Sequence, residues 1–167
     1  MTQQVPPDRR PTVPQLDELD RRIIEALQTD ARLSVRALAD QVHASRASAH
    51  ARVQRLERQG VLRGYRASVD PELFGLSVSA LVQLRIAQHS WKDVRERIRT
   101  IPEVWHAALV SGDYDIVLLV RTPDARTLRE LVLDQLQAIS GVQATNTILV
   151  LDEVGDPLCG RVVTTEP

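Results

Sequence analysis

The 167-residue chain is predicted to be an α+β protein of two domains, a three-helix unit followed by a β-α-β-β-α-β unit. Two observations carry this. Apolar residues recur at helical spacing up to Leu56, then alternate along the chain from Leu76 onward. Charge divides at the same place. Residues 1–66 hold 12 arginines against 8 acids, net +4, and residues 67–167 hold 9 cations against 14 acids, net −5. A basic half and an acidic half imply two tasks, one of them with a polyanion.

Residues 1–15 contain Pro6, Pro7, Pro11 and Pro14 and almost nothing apolar, and read as a disordered arm. A first helix follows, capped by Asp17 with Asp20 three residues on, as in a capping box, and carrying Leu16, Leu19, Ile23, Ile24 and Leu27. Ser34 caps a second helix with Val35, Leu38, Ala39 and Val42 on one face. Ser45 caps a third with Ala49, Val53 and Leu56, and Gly60 is placed to stop it. Only His43 and Ala44 separate Val42 from Ser45, so the second and third helices must cross sharply, as in a helix-turn-helix. Val61 to Val69 reads as a strand or β-ribbon, which makes residues 16–66 a winged helix-turn-helix. Residues 67–75 are a linker.

Ser77 to Ile86 alternates and is the first strand of the second domain, residues 76–153. Trp91 to Ile101 is helical and is ended by Pro102. Val104 to Val110 and Tyr114 to Arg121 are strands joined by Ser111-Gly112-Asp113. Thr127 to Ile139 is a helix stopped by Gly141, and Val142 to Leu151 is the last strand. Two helices on one face of an antiparallel sheet give a ferredoxin-like domain. The other face keeps apolar residues, so sheet-on-sheet homodimerisation is expected. Residues 154–167 read as a flexible tail.

The third helix carries the chemistry. From Arg46 to Arg66 there are six arginines and one acid, Glu57. With Ala49, Val53 and Leu56 turned inward, the outer face carries Ala47, Ala51, Gln54 and Arg58, flanked by His50 and Arg55. A short basic helix of this kind suits the major groove of double-stranded DNA. The alanines admit close approach and contact with thymine methyls, and Gln54 can read adenine. Arg46, Arg55 and Arg58 are placed for phosphates, with Ser34, Ser45 and Ser48 near helix starts.

Several classes are excluded or disfavoured. Cys159 stands alone, so no intrachain disulfide or cysteine metal site exists. His43 and His50 are seven residues apart with no third ligand near, so no metal or other cofactor is expected. No apolar run of ~18 residues spans a membrane, and the N-terminus lacks a hydrophobic signal core, which points to the cytoplasm.

The chain resembles the Lrp/AsnC, or feast/famine, transcription regulators over about residues 16–152. The carrying strings are Leu16-Asp17 with Asp20 and Ile23-Ile24, Ala31-Arg32-Leu33-Ser34, Leu38-Ala39, Arg52-Val53 with Arg55-Leu56-Glu57, and Gly60-Val61. In the second half they are Pro102-Glu103-Val104, Gly112-Asp113-Tyr114-Asp115 and Gly141-Val142. The inter-helix turn departs from the pattern. His43-Ala44-Ser45 stands where the family has Gly-Leu-Ser, and that glycine takes a positive φ that histidine adopts only at a cost.

The resemblance implies a domain of the RAM or ACT type that binds an amino-acid effector and assembles as dimers, tetramers or octamers. It places the effector at Gly112, Asp113, Tyr114 and Asp115, with Val104, Trp105, Thr145 and Thr147 as walls. An aspartate would accept from the ammonium and backbone N–H groups would hold the carboxylate. Two alternatives compete. One is an architectural DNA-binding protein without effector. The other is a haem-biosynthesis decarboxylase of similar fold, with His106 as the catalytic group, although His106 is followed here by Ala107-Ala108 rather than by Asn and Tyr.

Overall fold

A computed structural model describes residues 14–153. All but the last two residues of the expected arm, and the whole expected tail, lie outside them. The chain divides into two compact units between Ala67 and Ser68.

The first unit holds α1 (Glu18–Thr29), α2 (Val35–Gln41) and α3 (Arg46–Arg58). Each starts on a side chain that satisfies a free N–H. Asp17 and Asp20 form a reciprocal capping box, Ser34 accepts from the Ala37 N–H and Ser45 from the Ser48 N–H, both at 3.1 Å. Ile23, Ala26, Leu27, Leu38, Val42 and Leu56 close the core. Val35, read as inward-facing, is instead 41% exposed. His43 takes φ 53°, the left-handed backbone that the tight turn requires of it. Gly60 ends α3 at φ 70°, and the Val61 N–H returns to the Leu56 carbonyl at 2.9 Å.

The expected ribbon at Val61–Val69 does not form; no strand lies between α3 and Val78. A ribbon needs two runs and a turn, and this is a single run interrupted by Gly64 at φ 134°. It is tied back to α3 where the Tyr65 hydroxyl donates to Glu57 at 2.9 Å. Beyond it, Asp70 accepts from the Glu72 and Leu73 N–H groups and shapes an ordered turn.

The second unit holds β1 (Val78–Ile86), α4 (Trp91–Ile98), β2 (Val104–Leu109), β3 (Ile116–Thr122), α5 (Ala125–Glu130) and β4 (Val142–Leu149). After α5 the chain continues as a π-helical stretch, Leu131–Leu136, in place of the ordinary α-helix that the apolar spacing predicts. The sheet is antiparallel, in the order β2-β3-β1-β4. Ala80, Val82, Leu84, Ile116, Leu118 and Val120 face both helices and meet Val94, Ile98, Leu128, Leu131 and Leu136 in one core.

The opposite face carries Leu81, Gln83 and Arg85 of β1, Val117, Leu119 and Arg121 of β3, and Asn146 and Ile148 of β4. Leu81 and Ile148 pair across strands and are 36% and 45% exposed. Arg121 is 5% exposed. It donates to Glu153 at 2.7 Å and to Ser79 at 3.3 Å, and lies over the Trp105 ring at 5.2 Å.

Candidate nucleic-acid interface and effector site

Two separate places answer to the two tasks. The first is the outer face of α3. The Ser45 cap fixes where the helix begins, and Ala49 and Leu56, both fully buried, fix which side faces in. Arg46, Ala47, His50, Ala51, Gln54 and Arg58 are then exposed together, with Ser45 exposed at the start and Ser48 half-buried beside it. Ser34 sits at the head of α2, its hydroxyl already engaged as a cap. Arg46 and Arg58 have no ion pair among the described residues, so their guanidinium groups are free for an anion.

Arg55 departs from the expectation. Its guanidinium pairs with Asp20, whose side chain is 1% exposed. Arg52 reaches the same carboxylate at 2.8 Å and Asp17 at 2.6 Å. Asp17 and Asp20 therefore hold α3 against α1 through two arginines. Arg55 is a brace within the unit, with one arm of its guanidinium committed to Asp20. The hydrogen bond from Arg52, reinforced by the Asp20 N–H, lowers the Asp17 pKa to about 2. The network has a signal in the sequence: two arginines three apart on α3, and two aspartates three apart at the head of α1.

The second place is the turn between β2 and β3. Gly112 takes φ 137°, which a side chain would strain. The Asp115 carboxylate accepts from the Ile86 N–H at 2.8 Å, and the Asp115 N–H donates to Leu84 at 2.9 Å. Asp115 is thus spent on pinning the turn to the end of β1. Asp113 is exposed and its carboxylate has no partner among the described residues. Tyr114 is half-buried beneath Arg85, whose guanidinium carbon lies 5.4 Å from the ring centre.

The other expected wall residues are spread over β2 and β4. Val104 pairs with Val120 at the far end of the β2–β3 hairpin and packs on the helix-covered core. Thr145 and Thr147 pair with Leu84 and Val82, so they belong to the helix-covered face, and Thr145 accepts from Gln137 at 2.9 Å. Trp105 is occupied by Arg121. The residue that reaches the open face from this part of β4 is Asn146, which donates to Gln83 at 2.8 Å. His106, paired with Leu119, is exposed on the same face. Among the described residues no cluster of three His, Cys, Asp or Glu is arranged to hold a metal.

A capped, sharply crossed helix pair with a free basic face, joined to a small open-faced sheet domain, defines a DNA-binding regulator with a separate ligand-sensing domain. Residues 16–57 match the AsnC-type helix-turn-helix domain, and residues 79–157 match the Lrp/AsnC ligand binding domain. The chain belongs to the Lrp/AsnC family of transcriptional regulators.

Among its relatives, the Escherichia coli K12 leucine-responsive regulatory protein is 36% identical over 143 residues, 83% of this chain and 87% of that one. The regulator AldR of Mycolicibacterium smegmatis is 35% identical over 142 residues, 83% of each. A solved complex of a Neisseria meningitidis regulator with L-Met superimposes with a TM-score of 0.79 at 30% identity, covering 84% of this chain and 92% of that one.

Proposed function

We propose that this regulator binds double-stranded DNA as a homodimer through the outer face of α3, and that a free amino acid at the Gly112–Asp115 turn modulates that binding. The observation that carries the reading is the α3 face itself. Its centre is Ala47 and Ala51, its readers are His50 and Gln54, and its cations without an ion pair among the described residues are Arg46 and Arg58. Small residues let the helix enter the groove, and the cations flank it for the backbone.

An effector at the turn acts by favouring one assembly geometry over another, with a coupling of ~1–3 kcal/mol. The protein works by binding and not by catalysis, in the cytoplasm where its DNA is. The L-Met complex of the Neisseria relative supports the choice of an amino acid.

The test is a fluorescence-anisotropy titration across a range of salt. Arg46→Ala with Arg58→Ala should weaken binding to operator and random DNA alike and lower the salt slope by about two. Gln54→Ala should alter sequence preference at nearly constant slope. An unchanged slope in the double variant would remove α3 as the interface. Equal affinity of the wild type for all DNA sequences would favour an architectural role.

A further inference from the structure

Arg85 stands at the effector turn without having been singled out by any motif. It lies near the end of β1 on the open face of the sheet, paired with Ala144 of β4. Its Nε donates to the Asp113 carbonyl at 3.0 Å, and its guanidinium lies over the Tyr114 ring. These two contacts fix the plane of the group. They use one donor and leave the two terminal nitrogens without an acceptor among the described residues. The Asp115 carboxylate is turned to the Ile86 N–H, and no carboxylate among the described residues forms an ion pair with Arg85.

We propose that Arg85 is the carboxylate anchor of the effector site and makes the site selective for a zwitterionic α-amino acid. This rests on the reading of the Gly112–Asp115 turn as the place where effector binds. A guanidinium already oriented by stacking and by one hydrogen bond loses little freedom when it clamps a carboxylate with its remaining fork. The free carboxylate of Asp113, on the residue whose carbonyl takes the Arg85 bond, is the matching acceptor for an ammonium group. One strand end and one turn thus present opposite charges to the two ends of an amino acid. An amine without a carboxylate, or an amide, would leave the fork unmatched.

The experiment uses the full chain and two probes. The twenty standard L-amino acids are tested one at a time by thermal shift. The strongest binder and its α-carboxamide are then titrated by calorimetry. The wild type should prefer the free acid over the amide by about tenfold to a hundredfold. Arg85→Gln should lose that factor for the acid, keep its affinity for the amide, and so bring the preference close to one.

A variant that keeps the wild-type preference overturns the anchor while leaving the effector site in place. Equal losses for acid and amide, or a change of oligomeric state alone, also overturn it, by making Arg85 structural. If no amino acid shifts the wild type, the effector reading itself fails and the anchor with it. Should Arg85→Gln not fold, Arg85→Lys decides instead. The point charge should retain part of the preference, and an unchanged preference overturns the proposal.

Discussion

Asp20 is the residue on which the DNA-binding unit turns. Its buried carboxylate takes two arginines of α3 and also the Asp17 N–H of its own helix start. Asp20→Ala removes the capping box and strands Arg55 and part of Arg52. We expect a loss of about 2 kcal/mol, held below the full cost of breaking a buried pair because the arginines are partly solvated. Denaturant unfolding followed by circular dichroism is the measurement. Asp17 sets a pH dependence. A carboxylate held below its usual 3.8 stabilises the folded state above about pH 4 and loses that contribution as pH falls toward 2. Arg52→Ala removes the main cause of the shift, so acid unfolding of the unit should begin at higher pH than in the wild type. An unmoved acid limb would mean that the pair contributes nothing.

At the scale of elements, Gly141 shows how tightly β4 is fitted to α4. A Cβ there would lie 2.5 Å from the Ser90 Cβ, on a backbone at φ 97°. Gly141→Ala should cost about 2–3 kcal/mol, from strain and overlap together. Adding Ser90→Gly should recover the overlap share and leave the strain, a difference that a double-mutant cycle reads directly.

Elements with strong local signals were legible in the sequence. The caps at Asp17, Ser34 and Ser45 and the stop at Gly60 depend on a few adjacent residues, and each stands where it was read. What depended on partners was not legible. Val61–Val69 has the composition of a strand but pairs with no strand among the described residues, so its propensity goes unused. The face on which Thr145 and Thr147 lie is not legible either, because alternation alone does not say which face is covered. The Arg55–Asp20 contact is not legible for a related reason. A helical wheel shows a charge near an outer face but not the aspartate that a neighbouring helix brings to it.

For the whole molecule, the open face of the sheet sets the expected assembly. Leu81 and Ile148 form an apolar pair within it, bordered by Val117 and Leu119. On the proposed reading, two copies joined by this face would bury it, and the two-fold symmetry of such a dimer would match that of a palindromic DNA site. Light scattering should give a dimer at micromolar concentration, and Leu81→Glu should shift it toward monomer and weaken operator binding. A wild-type monomer would mean that something else covers the face.

The Arg121–Glu153 pair determines how short this protein can be made. The last strand stops at Leu149, yet the acid that neutralises the buried arginine stands four residues later. A truncation designed to end with the sheet would keep every strand and still leave a cation enclosed without its counter-charge. Such a fragment should express poorly or melt early, whereas one that retains Glu153 should not. The boundary of the domain is therefore electrostatic and lies beyond its last hydrogen-bonded strand.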